Sequence, residues 1–399
     1  MLSFQRSQVS VLSSRLSEDD IWTMQFIVGP RQTGKTTIIS QSIASIDAPC
    51  HFVSADDTGK PDAAWIEREW QIARGMTAGG SRKVVLCIDE VQKVPGWARK
   101  VKSLYDRDRM NGTPVRAVLS GSSSLMLHKG MEDSLMGRYE VINSPHWSLS
   151  ECRRAFGFTL DQFLYFGGYP GAAAFVSDDR RWKAYMRDSI AEPTISKDVL
   201  EMDEVRKPAL MRAVFRLGCA HSGQELSYTK ILGQLQDKGN TVTIAHYLDL
   251  LGKAGMVSAL PKFSEKEVAK RRSSPRLMVH DTSLMTAMSD KGRDEFLAAG
   301  ELRGHLVESA VGAYLIARSS CEGFEVMWWR DGAQEVDFVI RDGSALTAIE
   351  VKGGSESGQS GMASFLDSHP RAKRIVVGGA AAGACSVEEF LMGDVELFY

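Results

Sequence analysis

No stretch of this 399-residue chain is long and apolar enough to cross a bilayer. Cysteine is scarce. The six thiols (Cys50, Cys87, Cys152, Cys219, Cys321, Cys385) lie far apart and form no CxxC pair. That spacing excludes a zinc ribbon and a local disulfide framework, and predicts buried, reduced cysteines. Neither sign of charge dominates: 48 Lys and Arg against 50 Asp and Glu leave a net −2. The chain as a whole is therefore no polyanion binder, and a nucleic-acid contact would have to come from a local basic patch. Residues 1–20 lack the apolar run and small-residue cleavage site of a secretory signal. The expectation is a cytoplasmic protein with no membrane association. No long-period repeat is visible, and the length exceeds what one core usually supports, which predicts two or three domains.

The first third of the chain alternates short apolar runs with amphipathic stretches. Gln25 to Val28, His51 to Val53, Val84 to Ile88 and Val115 to Leu119 read as buried parallel strands, with helices over Thr36 to Ala44 and Pro95 to Arg109 between them. The economical assignment is a nucleotide-binding α/β sheet. After about Pro145 the spacing becomes helical as far as Leu217, broken by Gly167-Gly168-Tyr169-Pro170-Gly171. From Glu225 to Phe263, two helices (Tyr228 to Leu235, Thr243 to Ala254) around a polar turn at Asp237-Lys238-Gly239-Asn240, then a strand (Met256 to Leu260) and a basic loop, suggest a winged helix-turn-helix. A long helix (Leu306 to Arg318) and strands at Glu325 to Trp329, Glu335 to Ile340, Ala345 to Val351 and Arg374 to Val377 form a last α/β module.

Gly29-Pro30-Arg31-Gln32-Thr33-Gly34-Lys35-Thr36 fits G-x-x-x-x-G-K-[ST] directly after a strand and before a helix. In that setting backbone N–H groups, with Thr37 in the first helical turn, surround phosphate oxygens. Lys35 reaches the β- and γ-phosphates and Thr36 ligates magnesium, so ATP and Mg²⁺ are the expected cofactors. Val84 to Ile88 delivers Asp89 and Glu90 to the carboxyl end of its strand, Asp89 for the magnesium shell and Glu90 to polarise a water. Glu90 could instead cap the next helix. The hydroxyls of Ser120-Gly121-Ser122-Ser123-Ser124, Ser122 foremost, could contact the water or the γ-phosphate, or form an ordinary turn.

These segments, together with Ile88-Asp89-Glu90-Val91-Gln92-Lys93-Val94-Pro95-Gly96-Trp97, Gly137-Arg138-Tyr139 and Gly167-Gly168-Tyr169-Pro170, resemble bacterial and archaeal AAA-type ATPases with a C-terminal DUF4143 domain. The resemblance spans nearly the whole chain. It implies a P-loop NTPase parallel sheet of the AAA-like kind (residues 1–148), a helical lid (149–217), a winged-helix region (218–280) and a restriction-endonuclease-like α/β domain (281–399). It also puts Ser122 at the sensor position. Arg138 becomes a candidate for an arginine meeting the γ-phosphate, perhaps that of a neighbouring subunit in a homo-oligomer; the plain alternative is a surface ion pair.

In the last module, Asp337 and the Glu350-Val351-Lys352 strand end resemble the PD-(D/E)xK nuclease motif, with Glu308 on the long helix completing it. The period-two strand pattern puts Glu350 and Lys352 on one face. Asp337 and Glu350 would then hold a divalent ion while Lys352 orients a water. The proline of the motif's name is replaced by Val336, and the alternatives are a charged hairpin or an idle nuclease-like fold. Lys262, Lys266, Lys270, Arg271, Arg272 and Arg276 make a basic loop suited to DNA phosphates, beside a helix whose polar face carries Thr243, His246, Asp249 and Lys253. The expected function is an Mg-dependent ATPase coupled to DNA. The competing expectation is a nucleotide-controlled switch whose C-terminal domain binds a protein partner with little turnover.

Overall fold

The computed structural model describes residues 4–19, 22–77, 83–121, 135–200, 205–235, 240–265, 273–352, 359–380 and 382–399. The chain divides into two compact units, residues 1–144 and 145–399.

In the first unit the elements run α1 (Ser7–Ser17), β1 (Met24–Val28), α2 (Lys35–Ile43), β2 (Cys50–Ser54), α3 (Ala63–Thr77), β3 (Val84–Asp89), α4 (Trp97–Asn111), β4 (Val115–Gly121) and β5 (Tyr139–Asn143). The strands form one parallel sheet in the order β2-β3-β4-β1-β5. The period-two alternation of the buried strands sorts their side chains onto two faces. Phe26, Leu86, Ile88 and Leu119 meet Trp65, Ile66, Trp70, Trp97, Val101 and Leu104 of α3 and α4. Ile27, Val85, Cys87 and Val118 meet Val9, Leu12, Leu16, Ile38 and Ile39 of α1 and α2. Both faces are thus covered, which is why these strands read as continuous apolar runs.

The second unit begins with α5 (Leu149–Phe156), α6 (Leu160–Phe166) and α7 (Asp179–Tyr185), followed by π-helical turns at Met186–Ala191 and Thr194–Val199. Capping boxes at Ser148/Glu151 and Thr159/Gln162 start the first two helices. Next come α8 (Pro208–Ala220), α9 (Tyr228–Leu235), α10 (Thr241–Lys253) and an antiparallel ribbon of β6 (Val257–Leu260) and β7 (Arg276–Val279). The expected core face of α10 is buried at Ile244, Leu248 and Leu251. Then follow α11 (Thr282–Ala287), α12 (Arg293–Leu297), α13 (Glu301–Glu322), β8 (Glu325–Asp331), β9 (Gln334–Asp342), β10 (Ala345–Val351), α14 (Gln359–Ser368), β11 (Lys373–Val377) and α15 (Val387–Met392). Here the sheet is mixed, in the order β11-β10-β9-β8, with only the β10–β11 pair parallel.

The first compact unit ends at Ser144, and residues 149–217, 218–280 and 281–399 lie together in the second. Side chains that cross between those segments explain this. Lys183 donates to the Ser289 and Lys291 carbonyls at 3.0 and 2.5 Å. Asp281 caps α11 and accepts the Gly168 N–H at 2.7 Å. A Cβ at Gly167 would overlap the Asp281 carboxylate and one at Gly168 the Trp147 carbonyl, which accounts for the glycine pair. The cysteine expectation fails at Cys321, which is exposed near the end of α13. The turn at Asp237-Lys238-Gly239 lies outside the described residues.

His280 follows β7 beside the buried His146, and its Nε2 lies 2.6 Å from the Ser258 hydroxyl. Desolvation first, and His146 second, push the imidazole down to about 3 from its ordinary 6.5. The unfolded chain therefore binds a proton that the folded one refuses. The stability that depends on neutral His280 is complete above pH 6.5 and is lost as pH falls towards 3. The loss is at most about 5 kcal/mol, and smaller because the ring keeps some solvent contact. Thermal melts between pH 7 and 4 should show a shallower decline for His280→Gln than for the parent; equal slopes would contradict this.

Candidate active site

The carboxyl end of the five-stranded sheet gathers the nucleotide motif. β1 ends at Val28, and the chain turns through Gln32 (φ 63°) and Gly34 (φ 89°) into the amino end of α2. Lys35 is buried with its Nζ 3.0 Å from the Gly29 carbonyl and 2.7 Å from that of Pro30. The ammonium thus rests on the loop's own carbonyl oxygens. Pro30 and Arg31 are partly buried, and Thr36 and Thr37 are exposed in the first turn of α2.

Asp89 ends β3, one strand removed from β1 by the intervening β4. Its carboxylate, 5% exposed, accepts from the Thr36 hydroxyl at 2.7 Å through one oxygen and from Ser120 of β4 through the other. A hydroxyl and a carboxylate at this distance suit the coordination shell of a magnesium ion carried by a triphosphate. Glu90 adopts a left-handed backbone (φ 54°) that non-glycine residues rarely take. Its side chain makes no cap bond to the 3₁₀ turn at Val91–Lys93 and accepts from Gln92 Nε2 at 2.7 Å. The capping alternative is therefore not what the structure contains. Ser122 lies outside the described residues, and the hydroxyl that meets Asp89 is Ser120.

The carboxylates of the C-terminal module also gather, Glu308 and Glu335 lining with Arg276 a cavity of about 470 Å³. Arg276 of β7 reaches Glu308 Oε1 of α13 at 3.0 Å, the Asp337 carbonyl at 3.1 Å, Asp337 Oδ1 at 3.6 Å, and Glu335. The other Asp337 oxygen accepts the Val351 N–H at 2.8 Å, and Glu350 is ion-paired with Lys352. Burial, and then the charge of Asp337, push the Glu308 carboxyl up to about 8 against the pull of Arg276. Burial likewise raises Glu350 against the opposing Lys352. Among the described residues no group of three His, Cys, Asp or Glu side chains has metal-holding geometry.

Three family models match successive parts of the chain: an AAA domain over residues 22–153, a domain of unknown function (DUF8612) over 157–295, and a domain of unknown function (DUF4143) over 303–385. Residues 22–153 are an AAA domain, and 303–385 a DUF4143 domain.

An uncharacterized protein of Mycobacterium tuberculosis is 27% identical over 65% of this chain, and the match spans 54% of that protein's length. The chain thus covers about half of this relative. An uncharacterized Haemophilus influenzae protein is 22% identical over 86% of each. Among solved structures, the Walker-type ATPase of Pyrococcus abyssi is 14% identical, covers 71% of this chain and 95% of its own, and overlays with a TM-score of 0.48. The Holliday junction branch migration motor of Thermotoga maritima is 13% identical, covers 64% and 88%, and overlays at 0.33. The strand order and loop geometry identify the P-loop sheet.

In the AAA domain, Arg138 sits where its carbonyl accepts from Met24 N–H, at the amino end of β1, and its guanidinium is paired with Asp106 of α4 at 2.7 and 3.2 Å. The P-loop leaves the other end of β1, roughly 16 Å away for a five-residue strand. Arg138 therefore cannot serve the nucleotide of its own chain. The basic loop divides as well. Lys266, Lys270, Arg271 and Arg272 lie outside the described residues, Lys262 Nζ stands 5.9 Å from the Trp328 ring centre, and Arg276 is buried rather than offered to phosphates. Its carboxylate partners outcompete water for it.

Two residues that sequence reasoning missed support the loop. Buried Arg6, just before α1, donates to the Thr33 carbonyl at 3.2 Å and to the Ser144 hydroxyl at 2.9 Å. Ser144 N–H in turn donates to the Val28 carbonyl at 2.7 Å, and a Cβ on Gly29 would overlap the Ser144 carbonyl oxygen. Both partners in that collision are backbone, so neither can rotate away. Gly29→Ala should cost about 1–3 kcal/mol and weaken ATP binding at least ~10-fold through displacement of the loop. Fluorescent-nucleotide titration checks this, and parent-like affinity would refute it.

Proposed function

We propose that this chain is a Mg²⁺-dependent ATPase whose cycle is coupled to DNA. The observation that carries the reading is the Asp89 carboxylate held 2.7 Å from the Thr36 hydroxyl beside the P-loop. Thr36 and Asp89 would hold the ion, which when bound supplies charge neutralisation for the phosphates. Lys35 would exchange the Gly29 and Pro30 carbonyls for β- and γ-phosphate oxygens. Glu90 would take a proton from the attacking water, with Gln92 fixing its carboxylate. Closure of the site by Arg138 of a second copy is part of the proposal, since that residue lies on the far edge of its own sheet. Homo-oligomerisation follows from it.

DNA contact is assigned to the helix-ribbon segment, where α10 exposes Thr241 and Val242 at its start and the loop between β6 and β7 carries five Lys and Arg against two Glu. ATPase assays with and without duplex DNA across a salt series test the coupling. Stimulation that disappears at high salt is expected. A slow rate indifferent to DNA at every salt concentration would favour instead the nucleotide-controlled switch acting on a protein partner.

A further inference from the structure

We infer that the carboxylate cluster of the DUF4143 domain belongs to the Arg276 guanidinium and holds no divalent ion while that arginine is in place. Glu308, Asp337 and Glu350 have the residue types and order of a nuclease metal site, so a magnesium or manganese ion is what the pattern implies. The geometry does not accommodate one. A divalent ion needs several oxygens converging at about 2.0–2.6 Å with room for water. Here Glu308 and Asp337 are already engaged by a cation that the chain supplies itself, and Glu350 by Lys352.

The guanidinium is 2% exposed and lies over the Trp328 ring at 5.2 Å. Its NH1 faces Glu308 and Asp337, and its NH2 faces Glu335. A planar fork of donors with no acceptor matches carboxylates closely and never loses its charge. A dication placed among the same oxygens would stand within a few ångströms of that fixed positive charge and be repelled. Nor can the arginine easily leave. It belongs to a paired strand, opposite Leu260 in the β6–β7 ribbon, and the next residue donates its N–H to the Gln224 carbonyl at 3.0 Å. The remaining pair is also internally satisfied, because Lys352 binds Glu350.

Arg276 comes from the segment matched by DUF8612, outside the DUF4143 match at 303–385. The arginine thus bolts one segment to the sheet of the next through Glu335 and Asp337 of β9.

Mn²⁺ titration followed by electron paramagnetic resonance tests this on the full chain without nucleotide, in an Asp89→Asn background that silences the P-loop site. The parent is expected to show no Mn²⁺ uptake that Asp337→Asn or Glu308→Gln alters. Arg276→Met, which keeps much of the volume but removes the charge, is expected to bind Mn²⁺ at least ~10-fold more tightly, and Asp337→Asn in that background to abolish the gain. Uptake by the parent that Asp337→Asn or Glu308→Gln removes would overturn the inference. So would a folded Arg276→Met protein, checked by circular dichroism, that binds no more Mn²⁺ than the parent. Should Arg276→Met not fold, the parent comparison alone decides.

Discussion

Replacing Glu90 by glutamine should leave ATP binding intact and lower turnover on the order of 10²–10⁴-fold, the range a positioned general base contributes. The substitution preserves length and volume and removes only the capacity to accept the water's proton. Glu90 holds a left-handed backbone at the end of β3, next to the carboxylate that Thr36 and Ser120 grip. Strain of this kind costs about 1–3 kcal/mol and persists where surrounding contacts impose it. Its Gln92 contact would survive in the amide, so binding and stability should hardly move. Steady-state hydrolysis and nucleotide titration together check the split. Parent-like turnover in Glu90→Gln would remove Glu90 from the chemistry.

Arg276→Ala should be the most destabilising single change in the second unit, at about 3–5 kcal/mol. The penalty comes from what is left behind, namely Glu308, Glu335 and Asp337 around a hole with no cation among them. Their side chains keep 17%, 29% and 21% exposure, so water offsets part of the loss and the lower end of the range applies. Loss of the guanidinium over Trp328 adds a packing term. Chemical denaturation with a probe of the second unit measures the change. A variant as stable as the parent would show that the cluster is not held together by this arginine.

The P-loop is legible in the sequence because its signal is local. A strand, eight residues of loop and a helix start are contiguous in sequence, and Asp89 with Glu90 announce themselves at the end of an apolar run. Strands β1, β3 and β4 are legible for a similar reason, since burial on both faces leaves mostly apolar segments, whereas β2 is only partly buried. β5 was missed because only Ile142 of its five residues is buried. α1 was missed although Val9, Leu12 and Leu16 have helical spacing, because interleaved serines dilute the pattern. The contacts that cannot be read from spacing are the long-range ones. Arg6 reaches the P-loop, and Asp281 receives the Gly168 N–H, only after the chain has folded. Arg276 is the sharpest case. Counted with the lysines and arginines around it, it reads as part of a DNA-facing loop, whereas its strand position buries it among carboxylates from α13 and β9.

Calorimetric titration of Mg-ATP into the parent and into Lys35→Ala probes the P-loop most directly, because Lys35 donates to the Gly29 and Pro30 carbonyls, which phosphates should displace. Saturable uptake by the parent, weakened at least ~10-fold in the variant, is the expected result. No heat of binding in the parent, or identical isotherms for the two proteins, would contradict it.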